Sequence, residues 1–98
     1  MPGRVLDDLS ALRSAITDRI EGVRDGAIGL GEALHPLDGD SVDALASRFV
    51  YVVKVVEAVP GVGKVRARRA LESVGLGERD RIGDLSVDVR AALLRELA

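Results

Sequence analysis

The segment Val59-Pro60-Gly61-Val62-Gly63-Lys64 constrains this chain more than any other, because it interrupts two apolar stripes of helical spacing. Pro60 lacks an N–H and its ring collides with the preceding turn, so a helix must end before it. Gly61 and Gly63 permit a tight reversal and keep side chains away from the backbone. Val62, held between them, is expected to plug into the core between the two helices. From Gly63 to Val74 a second helix follows, with Ala67, Ala70, Leu71 and Val74 inward, and Gly75 stops it. The expected product is a helical hairpin whose second helix starts with unpaired N–H groups and a positive dipole end.

The rest of the sequence reads as all-α. Its 98 residues suit one modest core with little room for a deep substrate pocket. One Phe, one Tyr and no Trp leave Val, Leu, Ile and Ala to build that core, which favours packed helices. Val5 to about Val23 is an amphipathic helix carrying Leu6, Leu9, Leu12, Ile16 and Ile20 on one face, ended by Asp25-Gly26. Ala27–Leu34 is a short helix weakened by Gly29 and Gly31. The turn-rich run His35-Pro36-Leu37-Asp38-Gly39-Asp40 divides an acidic N-terminal element (1–40) from a C-terminal domain (41–98).

Two readings are open for Ser41 to Val59. Phe49-Val50-Tyr51-Val52-Val53 has strong strand propensity. Yet Leu45, Phe49, Val52, Val53, Val56 and Val59 share one helical stripe with Lys54 and Glu57 opposite, which favours a helix capped by Asp40 or Ser41. Beyond Gly75, Gly77 to Leu85 is a polar connection that allows a helical turn. Ser86 or Asp88 then starts a last helix, burying Val89, Leu93, Leu94 and Leu97 and pointing Arg90, Arg95 and Glu96 outward.

Composition also narrows function. Without cysteine there are no disulfides, thiolate metal sites or cysteine nucleophiles, as suits a cytoplasmic protein. No apolar run approaches the roughly 20 residues that span a bilayer, and no signal peptide is evident, so no membrane partner is expected. His35 stands alone, and Asp7-Asp8 and Asp38-Gly39-Asp40 read as caps and turns. No metal, cofactor, small-molecule substrate or catalytic group is expected. Lys64 does not form a P-loop, since Val65 follows it.

Charge is unevenly placed. Residues 1–47 carry four Arg against nine acids; residues 48–98 carry ten Lys or Arg against seven acids. Pro60–Ala70 holds four bases and no acid, and a local patch sets the field within a screening length of about 8 Å. Lys64 stands where the unpaired N–H groups make an anion site, with Arg66, Arg68 and Arg69 in the next two turns. A helical wheel brings two of these arginines, not all three, onto the Lys64 surface. The scarcity of aromatics argues against single-stranded nucleic acid, whose bases usually stack on such rings.

The run Val56-Glu57-Ala58-Val59-Pro60-Gly61-Val62-Gly63-Lys64-Val65-Arg66-Ala67 resembles a DNA-binding helix-hairpin-helix or helix-two-turn-helix element. The latter occurs in ribosomal protein S13 and in the actinobacterial integration host factors. Val56 to Leu97 is similar to the integration host factor family without a gap, through Pro60, Val62-Gly63-Lys64-Val65, Ala67, Leu85 and Ala92-Leu93-Leu94. Looser similarity reaches back to about Val23. The resemblance implies a nucleoid protein that grips the phosphates of double-stranded DNA, bends it, and assists recombination. It implies contact by Gly61, Gly63, Lys64 and Arg66, with Arg81 at a second contact; Val62, Arg68, Arg69 and Arg79 complete the candidate set.

The chain also departs from the family. Its connecting loop reads Glu78-Arg79-Asp80-Arg81-Ile82-Gly83-Asp84, with Asp80 and Gly83 where the family has arginines, and Gly61 replaces a family lysine. Acids fill the N-terminal half where the family is basic. Weaker binding, or dependence on a partner, is the expectation. Blander readings stand beside this one: Gly-Val-Gly as plain structure, and Arg79 and Arg81 paired with Asp80 and Asp84. The competing functions are a protein-interaction module docking its acidic N-terminal half on a recombinase or transcription factor, and an RNA- or ribosome-associated protein.

Overall fold

The computed structural model describes residues 2–98, with side chains from Leu9 onward. The described chain is all-α: α1 (Pro2–Arg24), α2 (Leu30–Ala33), α3 (Val42–Phe49), α4 (Val52–Ala58), α5 (Gly63–Ser73) and α6 (Val87–Leu97), with a 3-10 turn at Ile82–Asp84. The side chains of Val5, Leu6, Asp7 and Asp8 lie outside the described residues. Gly26, at φ +81°, ends the first helical stretch as the Asp25-Gly26 pair led one to expect.

α4 is the centre of the fold. Val52, Val53, Val55, Val56 and Ala58 are all buried, so this helix must be covered on every side but that of Lys54 and Glu57. α1 and α2 cover it from the N-terminal half and α5 from the C-terminal half. Ala67, Ala70 and Leu71 form the inner face of α5, and Leu93 and Leu97 close the core from α6. Val23, Ala33 and Leu34 are buried in the same cluster.

The single helix expected across Ser41–Val59 is instead two. Val50 and Tyr51 are extended (ψ 140° and 136°) and separate α3 from α4. Tyr51 forms an isolated antiparallel bridge with Arg81. The Val52 N–H donates to the Asp80 carbonyl at 2.9 Å, and the Ile82 N–H donates to the Val50 carbonyl at 3.0 Å. The strand propensity of this run is thus expressed over two residues. The break also changes which side chains are inside. Val50 and Val55, off the expected stripe, are buried, while Phe49, on it, is 43% exposed.

Arg90 is a second correction. It does not point to solvent: its Nε donates to the Leu34 carbonyl at 2.7 Å and its Nη2 to the Leu85 carbonyl at 3.3 Å. This guanidinium ties α6 to the end of α2, where helical carbonyls have no partner of their own. Arg95 and Glu96 are exposed as expected. Ser41 and Ser86 cap α3 and α6, accepting from the Ala44 and Val89 N–H groups. The turn before α3 is pinned by buried Ser47, which accepts from the Leu37 N–H at 2.8 Å and donates to the Ala44 carbonyl. No described helix is long and apolar enough to cross a membrane.

Leu93 has no exposed surface and Leu9 is 49% exposed, so their truncations should separate clearly. Leu93→Ala is expected to cost about 2–5 kcal/mol in urea denaturation followed by circular dichroism. Leu9→Ala should cost less than about 1 kcal/mol.

Candidate nucleic-acid interface

The hairpin takes the form its residues dictate. α4 stops at Ala58, and the Val62 N–H closes a turn on the Val59 carbonyl at 3.1 Å. Val62 packs its side chain against the core, half-buried. Gly61 and Gly63 have φ of +86° and +73°, where an L side chain would cost about 1–2 kcal/mol. A Cβ at either position would meet nothing within 4 Å. Conformation, not crowding, requires these glycines, and the surface above them is open. At position 61 the same φ disfavours any L side chain, the lysine that the resemblance implies there included.

No side chain caps α5, unlike α3 and α6, so its first-turn N–H groups have no side-chain acceptor beside exposed Lys64. The arginines behind Lys64 divide. Arg66 reaches the opposite flank, where its Nη2 donates to the Leu97 carbonyl at the end of α6, 3.3 Å away. Arg68 pairs with Glu78 at 2.9 Å, both of them exposed. Arg69 is exposed and forms no ion pair among the described residues. Lys64 and Arg69 are therefore the hairpin's unengaged cations, with Arg68 partly neutralised and Arg66 shared with the end of a helix.

The connecting loop differs from the bland expectation. Asp80 does not pair with Arg79 or Arg81; its Oδ2 accepts the Gly77 N–H at 2.7 Å and closes the loop on itself. Among the described residues Arg79 forms no ion pair and stays exposed. Arg81 lies between two rings, 5.5 Å from the centroid of Phe49 and 5.3 Å from that of Tyr51. A Cβ at Gly83 would sit 3.1 Å from the Arg48 Cβ and 3.2 Å from its carbonyl oxygen. An arginine there would require Arg48 to give by a few tenths of an ångström.

Sequence reasoning missed the Phe49–Arg81–Tyr51 cluster. Its one available signal was that the only two aromatic residues lie two positions apart. His35 serves its own turn, through Nδ1 against the Gly31 carbonyl at 2.6 Å.

Arg81 also marks Tyr51 chemically. The Arg81 guanidinium beside the phenol, then the charge of Arg79, hold the Tyr51 pKa below the ordinary value of about 10. The folded state therefore favours the phenolate. The associated stability appears as pH rises through the lowered pKa, is complete above the unfolded value, and is absent below the folded one. With one Tyr and no Trp, an ultraviolet phenolate titration reads this group alone. Arg81→Gln should move that titration upward, towards its ordinary position.

Comparison with known proteins agrees with this architecture. The S13-like H2TH domain family matches residues 26–97. The integration host factor of Streptomyces coelicolor (strain ATCC BAA-471 / A3(2) / M145) is 35% identical over 68 residues. Those residues are 67% of this chain and 62% of the relative, so the match spans less than two thirds of that protein's length. The structure of sIHF bound to an 8-bp palindromic DNA superposes with a TM-score of 0.76 at 24% identity, covering 94% of this chain and 99% of the other. With the family match extending from the first glycine turn to the end of α6, the chain is an integration-host-factor-like member of the S13-like H2TH domain family.

Proposed function

We propose that this chain binds double-stranded DNA through backbone phosphates, as a small architectural protein of the nucleoid that reads little base sequence. The observation that carries this reading is the hairpin mouth: uncapped first-turn amides, two exposed glycines at positive φ, and unpaired Lys64 beside them. Peptide donors and point charges suit phosphate oxygens, and contacts of that kind position a protein without reading bases. Exposed Arg69 and Arg79, next in sequence to the paired Arg68 and Glu78, add to the cationic surface. Bending of the duplex and assistance to recombination belong to the same proposal and rest on the resemblance to the integration host factors.

A different reading, in which the acidic N-terminal half folds over this face and shields it, has less support. Gly61, Gly63 and Lys64 are exposed, and α1 packs against α2, α3 and α4. Deleting residues 1–40 would also strip Val23, Ala33 and Leu34 from the core, so charge substitutions are the cleaner probe.

If about three phosphates are engaged, the logarithm of affinity should fall against that of salt with a slope near -3. Lys64→Glu combined with Arg69→Glu should abolish duplex binding at physiological salt while helical circular dichroism is kept. A flat salt dependence, or binding retained by that double variant, would place the site elsewhere. Structured RNA outcompeting duplex DNA would turn the reading towards RNA. Arg66→Gln should lower both affinity and thermal stability, because the Leu97 carbonyl loses its donor.

A further inference from the structure

We propose that the groove between α1 and the α3–α4 break is a docking site for an acidic amphipathic helix of a protein partner. This goes beyond DNA binding, with which it shares Arg79.

The groove has a volume of about 380 Å³. Leu12, Ile16 and Ile20 of α1 form one wall, and Phe49, Val50 and Tyr51 form the other. The break at Val50-Tyr51 creates it. An uninterrupted helix would have laid Phe49 on the buried stripe, whereas here Phe49 is 43% and Tyr51 38% exposed. A fold this poor in aromatics therefore leaves both of its rings on the surface, facing an apolar trough. Tyr, Phe and Arg are the side chains that protein interfaces favour, and Arg81 between the rings holds them in place before any partner arrives.

Charge selects the occupant. Lys54 and Arg81 line the groove, and Arg79 is close enough to act on the Tyr51 phenol. The acid nearest Lys54 is Glu57, already paired with it at 3.4 Å. On the wheel of α1, Arg13 falls beside Ile20, on the flank opposite Ala15 and Asp18. Ala15 and Asp18 line a different cavity, with Asp43 and Leu37. The charged side chains lining the groove are thus both cationic, Lys54 and Arg81, and the interior is apolar; Asp84 lies beyond Phe49 and Arg81, in a separate cavity with Arg48. A helix with leucine-like anchors at i, i+3 or i+4 and i+7, flanked by Asp or Glu, matches both properties. A phosphate backbone would satisfy the rim and leave the trough empty.

The groove lies at the N-terminal end of α4 and the hairpin at its C-terminal end, separated by seven residues, or about 10 Å along the helix. A duplex at one end and a protein at the other could be held together, which makes the chain an adapter.

The test uses the full chain, isotopically labelled, and a synthetic helix with leucines at those positions and glutamates on the flanks. A counterpart carrying lysines in place of the glutamates is the control. Saturable amide shifts are expected at Leu12, Ile16, Phe49 and Tyr51, with the lysine peptide weaker by about tenfold or more. Phe49→Ser should lose the peptide and keep duplex affinity. Lys54→Glu, on an exposed position, should weaken the acidic peptide and strengthen the basic one. The proposal is overturned if no saturable shift reaches the groove, or if both peptides bind alike. It is equally overturned if duplex DNA shifts the same residues and displaces the peptide, or if the chain fills its own groove by self-association.

Discussion

Everything in this fold is arranged around a short helix that is buried on every side but the one carrying Lys54 and Glu57. α4 spans seven residues, and five of them are buried. Its valines are inside because the chain breaks at Val50 and Tyr51, which turns α4 away from the direction of α3. That break is held by two main-chain hydrogen bonds, Val52 to Asp80 and Ile82 to Val50. They join segments some thirty residues apart in sequence, and they seat the connecting loop on the core through buried Ile82. The hairpin at one end of α4 and the groove at the other are consequences of where this short helix begins and stops.

The arginines do two kinds of work. Arg19, Arg48, Arg66 and Arg90 donate to main-chain carbonyls at helix ends and turns: Glu32 and His35, Leu37, Leu97, and Leu34 with Leu85. Such carbonyls lack partners within their own helices, and a charged donor satisfies them better than a neutral one. The positive charge of the C-terminal half therefore overstates what is offered to a phosphate. Lys64, Arg69, Arg79 and Arg95 are the cations of that half left without a structural duty among the described residues, while Arg68 is half-committed to Glu78. The acids of the loop belong to the same economy, since Asp80 closes a turn and Glu78 holds Arg68.

Much of this was legible in the chain itself. Gly26, Gly39, Gly61, Gly63 and Gly75 all adopt positive φ, and each stands where a local reading puts a turn or helix stop. Pro60 ended a helix, Ser86 began one, and the inner face of α5 followed from its spacing. These features depend on a few consecutive residues, so the sequence could determine them alone, and with them the all-α class and the family resemblance. Tertiary structure alone decided the rest. Whether Phe49–Val53 stayed helical turned on two hydrogen bonds to a distant loop, and local propensity cannot weigh those. Which arginines remain free turned on carbonyls brought near by packing, up to 56 positions away for Arg90. A side chain's charge is written in the sequence; what it faces is settled only when the helices meet.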